Sequence, residues 1–264
     1  MLFGYDTSDE TLRLTTLPAL GSLVRAAERE LSEGAEPDGF WRLRDEFQAF
    51  SSLESLRDLL NLELARIKDD PLYQPSRSFR TQFTIYQDSR IVLCLARMSA
   101  NESETIETLG SLSSHCMVSP VQGGEIVMQY YTIPDHGRVD PLRLQQPLEI
   151  SRTFVCEPGE VADIAARRDV VDIRAATDVT LLSLLSAPLF DESWEYDANT
   201  LLPTFPVNDD MLLGRRIFYI GAARALHNAD TDGVLARIAE SDPVSHLREA
   251  AKAVRETLAV SKKA

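Results

Sequence analysis

Positive charge is scarce in this sequence of 264 residues. Lys and Arg number 27 against 41 Asp and Glu, and the formal net charge is −14 at pH 7. Nucleic acids and anionic membrane surfaces are bound by clustered Lys and Arg, so this balance predicts neither as a partner. The sequence also lacks the roughly 18 consecutive apolar residues of a membrane helix, and no basic start leads into an apolar stretch. We therefore expect a soluble, cytoplasmic protein.

Cysteine is also rare. Cys94, Cys116 and Cys156 are isolated in the sequence, and no C-x-x-C pair occurs. A zinc ribbon or a thioredoxin-type dithiol is therefore not predicted. Cys94 lies in the apolar run 91–95, where cysteine usually behaves as a small buried apolar residue. Three unpaired cysteines favour a reducing compartment.

The motifs of several large enzyme classes are missing as well. The sequence has no P-loop, no G-x-G-x-x-G, no G-x-S-x-G and no H-E-x-x-H. The run Gly110-Ser111-Leu112-Ser113 lacks the second glycine of a nucleophile elbow. Only four histidines occur, and two of them, His227 and His246, fall in the C-terminal part. No nucleotide site, elbow hydrolase or zinc protease is predicted.

Residues 1–75 follow a helical period. Apolar residues from Leu17 to Leu31 recur at the spacing of one helix face, with Thr16 expected as the cap and Pro18 in the first turn. Ser51 and Glu54 form a capping-box pattern that opens a further helix. We expect its apolar stripe to pack against the central domain; the stripe consists of Leu53, Leu56, Leu59, Leu60, Leu64 and Ile67.

Residues 76–190 change to the period of two that is typical of strands. Short strands separated by turn signals, without long helical patterns between them, indicate a sandwich or barrel. Gly123-Gly124 supplies the positive φ of a tight strand connection, and residues 157–160 form another turn. We predict an α+β fold with a central jelly-roll β-barrel. The strand candidates are residues 83–85, 90–96, 126–131, 151–155, 170–174 and 179–185.

Residues 191–264 are predicted to form a linker and C-terminal helices. The stretch 189–208 is rich in Asp, Pro and aromatic residues, which indicates an irregular connection. Asn208-Asp209-Asp210 offers a helix cap, and Asp242-Pro243 precedes a last helix. The segment 242–254 resembles the second helix of a HEAT repeat. Such a unit cannot bury its own apolar face alone, so we expect it to pack on its neighbours or on a partner protein.

The middle of the strand region resembles the cysteine dioxygenase-like cupins. The resemblance covers roughly residues 76–188 and rests on the run Ser114-His115-Cys116, which leads through a strand to Gly123-Gly124-Glu125. It implies a jelly roll that holds Fe(II) with three histidines, two of them in an H-x-H. Three neutral imidazoles leave positions open for a thiol and dioxygen.

The ligands that this resemblance implies are missing from the sequence. One register places the H-x-H at Leu109 and Ser111, and another places it near Glu104 and Ile106. The third histidine would fall within residues 169–172. A further histidine and tyrosine would fall at Ser183 and Leu185. None of these positions holds a histidine or tyrosine, so no metal site and no cofactor are predicted; Fe(II) or another divalent metal on relocated ligands is the alternative.

Some features of the family are retained. Arg80 matches an arginine that holds the substrate carboxylate, and Cys116 matches a cysteine that in some members is cross-linked to a tyrosine. Arg80 is a candidate ligand-binding residue through its planar fork, although an ion pair at a barrel rim explains it too. His115 and Cys116 are further ligand-binding candidates, and His115 with Glu125 is the catalytic candidate. In an extended strand His115 and Cys116 face opposite ways, which argues against a nucleophile and base pair.

We therefore predict a catalytically degenerate cupin that acts as a small-molecule-binding or protein-interaction and regulatory module. Its partner is expected to be a small molecule, or a protein that contacts the C-terminal helices, and the family resemblance favours a homodimer. The alternative is a cupin enzyme, metal-independent or with relocated ligands, of the thiol dioxygenase, isomerase or lyase type. A pocket with His115 and a carboxylate facing inward supports that alternative. A barrel interior filled with Leu, Val and Met opposes it.

Overall fold

A computed structural model describes residues 13–32, 37–70, 73, 78–79, 82–100, 106–137, 141, 145–190, 192–208, 216, 218–223, 229–242 and 245–261. The chain divides into two compact units, Met1–Val207 and Asn208–Ala264. Among the described helices, none has the length and apolar character needed to cross a membrane.

The first unit begins with helices, as the 3.6-residue period predicts. They are α1 (Pro18–Glu30), a 3-10 helix (Pro37–Leu43), α2 (Arg44–Phe50) and α3 (Leu53–Asp69). Leu17 rather than Thr16 precedes α1, with no side-chain cap. The cap of α3 is Ser52 rather than Ser51, because the Ser51 hydroxyl already donates to the Gln48 carbonyl of α2 at 2.8 Å.

Twelve strands follow among the described residues. Six of them form nested antiparallel pairs, β3 with β10, β5 with β8 and β6 with β7, and a single bridge from Ser111, just after β4, to Val170 of β9 follows the same nesting. This nesting is the strand order of a jelly roll and confirms the predicted α+β class. The strands are β1 (Ser78–Phe79), β2 (Gln82–Gln87), β3 (Ile91–Met98), β4 (Thr108–Gly110), β5 (Cys116–Gln122), β6 (Ile126–Thr132), β7 (Glu149–Cys156), β8 (Ala162–Ile164), β9 (Asp169–Ala175), β10 (Val179–Ser186), β11 (Glu192–Asp197) and β12 (Pro203–Asn208).

The strands form two layers. One sheet has the order β1-β2-β3-β10-β5-β8. The other combines β12-β11-β4 with β7-β6-β9 through a bridge between Ser111 and Val170. Hydrogen bonds among the described strands do not join the two layers into a closed barrel.

The first sheet carries apolar side chains on both faces. Its outer face packs against the N-terminal helices through residues such as Leu93, Met117 and Leu184, which share a cluster with Leu20 and Phe47. Its inner face meets the second sheet in a separate cluster. Alternation along each strand produces this division, so the helices lie outside the jelly roll.

The irregular linker expected over residues 189–208 is instead occupied by the paired strands β11 and β12. Strand β11 extends the second sheet by pairing with β4. Trp194 and Tyr196 are buried there against Leu109 and Val170. Asp and Glu between the aromatic residues hid the alternation, because these residues are usually depleted in strands.

The second unit contains the helices α4 (Ala229–Ser241) and α5 (Ser245–Ser261), and residues 218–223 are helical as well. They pack through a cluster that includes Leu235, Ala239, Leu247 and Ala251. Small residues at a helix contact are common to many helical proteins, so the HEAT-like assignment stays a prediction. The partner protein expected at these helices also stays a prediction.

Candidate functional site

The positions at which the family resemblance implies iron ligands do come together. Ser111 beside β4 bridges Val170 of β9. Leu109 is buried in an apolar cluster with Val170 and Trp194, and the Ser111 hydroxyl accepts the Trp194 backbone N–H at 2.7 Å. An apolar side chain and a hydroxyl already bound to the backbone do not fit Fe(II).

Two acidic residues near these positions already form ion pairs with arginines. Asp169 accepts hydrogen bonds from the guanidinium of Arg168 at 2.9 and 3.0 Å. Asp172 forms an ion pair with Arg174 at 2.7 Å. Across the described residues, no three His, Cys, Asp or Glu side chains are grouped so that they could hold a metal ion. The described side chains at these positions therefore do not fit the implied iron, and Glu104 of the other register lies outside the described residues.

His115 lies on the outer, helix-facing side of the jelly roll. Its ring is tilted against Trp41 with centroids 4.7 Å apart and stacked on Phe40 at 5.9 Å. Its Nδ1 accepts the backbone N–H of Ala166 at 3.1 Å. The neutral ring therefore carries its proton on Nε2, which is a donor.

The protonation of His115 is disfavoured by its surroundings. Burial lowers the pKa of His115, and the positive charge of Arg168 lowers it further, against the opposing effect of Asp38 and Asp169. A second proton would have to enter at Nδ1 and displace the Ala166 N–H. His115 is thus arranged as a structural acceptor and a single donor, and not as a general base.

The other sequence candidates lie apart from His115. Cys116 faces the jelly-roll interior while Met117 faces the helices, which confirms the predicted alternation. Burial raises the pKa of the Cys116 thiol to about 12, so it stays protonated at neutral pH. Glu125 is exposed beyond the far end of the seven-residue strand β5, roughly 20 Å from His115 at the usual rise of a strand. Arg80 lies outside the described residues.

The jelly-roll interior is lined by packed apolar side chains. Residues from both sheets share one cluster, including Val118 of β5, Met128 of β6 and Leu181 of β10. Met128 is fully buried and Leu181 is nearly so. The inner faces of both sheets therefore share one apolar core.

A cleft that the sequence patterns do not predict lies on the opposite side of the first sheet. It lies between α3 and the outer face of β2, β3, β5 and β10, with a volume of about 650 Å³. Ligand pockets typically have volumes of this size. Its lining is mainly apolar and consists of Leu53, Leu56, Arg57, Leu59, Leu60, Glu63, Leu64, Ile67, Phe83, Leu95, Val121, Gln122 and Thr180.

Helix α3 gives this cleft an unusual exposed apolar wall. Leu59 is buried as expected, but Leu60 and Leu64 are 57% and 53% exposed, and Leu53 and Ile67 are 53% and 44% exposed. The expected packing of the whole stripe against the central domain is therefore wrong for these four residues. The six residues span about 140° of the helix, the width of an ordinary packing face, so their spacing carried no signal of this exposure.

The floor of the cleft holds a buried ion pair. The Nε atom of Arg13, whose side chain is 1% exposed, donates to Glu63 Oε1 at 2.7 Å, and Arg13 also donates to the Ile85 carbonyl at 3.0 Å. The Tyr73 hydroxyl donates to Glu63 Oε2 at 2.7 Å. Burial and the hydrogen bond to Glu63 together raise the pKa of Tyr73 to about 12. The Glu63 carboxylate is thus paired with Arg13 and accepts a hydrogen bond at each oxygen.

Comparison with known proteins identifies no family. No protein-family model matches the sequence, and no curated protein matches it. Among solved structures, hydroquinone 1,2-dioxygenase from Sphingomonas sp. TTNP3 is 13% identical over 42% of this chain and 68% of that chain, with a TM-score of 0.31. A Klebsiella pneumoniae protein with a double-stranded beta-helix domain is 8% identical over 45% and 81%, with a TM-score of 0.28.

A Neisseria meningitidis protein is similar at the same level, with 11% identity over 42% of this chain and 87% of that chain and a TM-score of 0.27. Likenesses this distant carry no inference about activity. The jelly-roll assignment rests instead on the strand pairing of this chain.

Proposed function

We propose that this protein is a binding module whose ligand occupies the cleft between α3 and the first sheet. The cleft carries the proposal: about 650 Å³ of mainly apolar lining faces solvent with four leucine and isoleucine side chains that are about half exposed. Transfer of such side chains out of water is worth roughly 25 cal/mol per Å² of apolar surface. An apolar ligand would gain that free energy by covering them.

The surroundings of the cupin-type candidates support binding over catalysis. His115 is committed to the Ala166 N–H, and Glu125 lies beyond the other end of β5. The jelly-roll interior is occupied by its own side chains. A degenerate cupin would retain the jelly roll as a support and present its ligand site on the outside.

The experiment is a titration with Nile red, a neutral apolar dye whose fluorescence rises out of water. We expect the full chain to bind the dye and Leu60→Asp to weaken binding at least tenfold, because a carboxylate in an apolar cleft loses hydration. Leu189→Asp is the matched control, since Leu189 is 51% exposed outside the cleft. Equal binding by the two variants, or no binding by the wild type, would reject the cleft as the site. Circular dichroism of each variant checks that the fold is retained.

A further inference from the structure

We infer that the ligand of this cleft is an amphiphile with one anionic head group, and that Arg57 binds the head group. The inference rests on the proposed function and names the chemical class that the cleft accepts. A hydrocarbon chain with a terminal carboxylate, as in a fatty acid, has this chemistry.

The charges of the cleft support an anion. Its lining contains two ionisable residues, Arg57 and Glu63. The Glu63 charge is balanced by Arg13 at 2.7 Å. Arg57 is exposed and has no ion-pair or hydrogen-bond partner among the described residues. The lining therefore has one uncompensated positive charge, in a chain whose net charge is −14.

Arg57 places a positive charge within the exposed apolar wall of α3. Arg57 stands one turn after Leu53 on α3, and Leu60, Leu64 and Ile67 follow it. From Arg57 to Ile67 the helix rises about 15 Å at roughly 1.5 Å per residue, which accommodates a hydrocarbon chain of about ten carbons. Such a chain would cover the exposed side chains while its head group stays at Arg57.

A guanidinium is well suited to this head group. Its planar group donates two parallel hydrogen bonds to the two oxygens of a carboxylate. An ester or an alcohol cannot accept both bonds in this way. Because Arg57 is exposed, the ion pair is screened by water, and we expect a contribution at the level of about 1 kcal/mol, or about fivefold in affinity. The apolar wall supplies most of the remaining affinity.

The test compares cis-parinaric acid, a fluorescent polyene carboxylate, with its methyl ester. We expect the full chain to bind the acid about fivefold more tightly than the ester. Arg57→Gln should remove this preference by weakening the binding of the acid to the level of the ester, whereas Arg57→Lys should restore part of it. Arg255→Gln is the matched control, because Arg255 is an exposed helical arginine of the second unit and its loss changes the net charge equally.

The outcomes separate this inference from the proposed function. Equal binding of acid and ester, with no effect of Arg57→Gln, would overturn the inference while Nile red binding still supports the cleft. Failure of all three probes would reject the proposed function itself. Sedimentation velocity checks the competing occupant: a concentration-dependent dimer that Leu60→Asp dissociates would overturn the inference, because a second copy of the chain would then cover α3.

Discussion

At the scale of single residues, His115 shows how a side chain with catalytic chemistry is committed to structure. Its ring contacts Trp41 and Phe40, and its Nδ1 receives the backbone N–H of Ala166 from 51 residues away. That bond holds two distant loops together. An imidazole held in this way contributes to stability only while it is neutral.

We predict that the His115 bond makes stability depend on pH. The pKa of His115 lies below its ordinary value of 6.5 in the folded protein, so the unfolded chain binds the proton more tightly. The contribution to the free energy of unfolding is therefore complete above about pH 6.5 and is lost as the pH falls through the folded-state pKa. Urea unfolding should show that the free energy of unfolding falls less between pH 7.5 and pH 5.5 in His115→Asn than in the wild type. The Asn amide oxygen can accept the same N–H and does not titrate.

A direct NMR titration of the imidazole checks this prediction independently. A long-range nitrogen–proton correlation spectrum of the histidine side chains should show that the neutral ring of His115 carries its proton on Nε2. A pKa at or above the ordinary value would contradict the assignment, as would equal pH dependence of the wild type and His115→Asn.

At the scale of elements, the β5–β6 connection depends on its glycines. Gly123 and Gly124 have φ values of +107° and +147°, as the sequence analysis predicts for this turn. A side chain at Gly123 would meet the backbone carbonyl oxygen of Asp178, which cannot move without displacing β10. Gly159, at φ +86°, has open space around it.

These two glycines provide a matched pair of substitutions. We expect Gly123→Ala to lower the free energy of unfolding by about 2–4 kcal/mol, because the left-handed backbone strain adds to the contact with Asp178. Gly159→Ala should cost only the backbone strain, about 1 kcal/mol. Urea unfolding of both variants measures the difference, and equal losses would show that the contact at Gly123 relaxes without cost.

At the scale of the whole first unit, two regions that could hold a ligand have opposite properties. In the jelly-roll interior, apolar side chains of both sheets pack against one another. The outer face of the first sheet is incompletely covered by the N-terminal helices, and α3 leaves a cleft there. A ligand site on the outside of a jelly roll needs no histidine ligands, in agreement with their absence from this sequence.

We predict that the protein binds no stoichiometric metal. The ligand positions implied by the family resemblance hold Leu109, Ser111 and ion-paired aspartates. Plasma mass spectrometry of the purified, untagged protein, before and after Fe(II) loading and desalting, should give far less than one metal per chain. One metal per chain would show that ligands outside the described residues contribute, and would restore the thiol dioxygenase hypothesis.

The sequence by itself determined most of the helices and strands, the fold class and the absence of the histidines that the family resemblance implies. Helices and strands follow from local periodicity, the Gly123-Gly124 turn from backbone conformation, and missing histidines need no structure to be recognised. The strands β11 and β12 were missed because charged residues interrupt their pattern, and burial of Trp194 depends on β4, more than 80 residues earlier.

Only the tertiary structure decided which apolar residues stay exposed and which polar groups are paired. The apolar stripe of α3 predicts packing, but which part of it remains exposed depends on how the helix lies against the first sheet. The His115 tautomer depends on the Ala166 N–H in another loop. The balance of charge at the cleft floor depends on the ion pair between Arg13 and Glu63, which are 50 residues apart in the sequence. These properties arise from contacts between distant residues, which local sequence patterns do not encode.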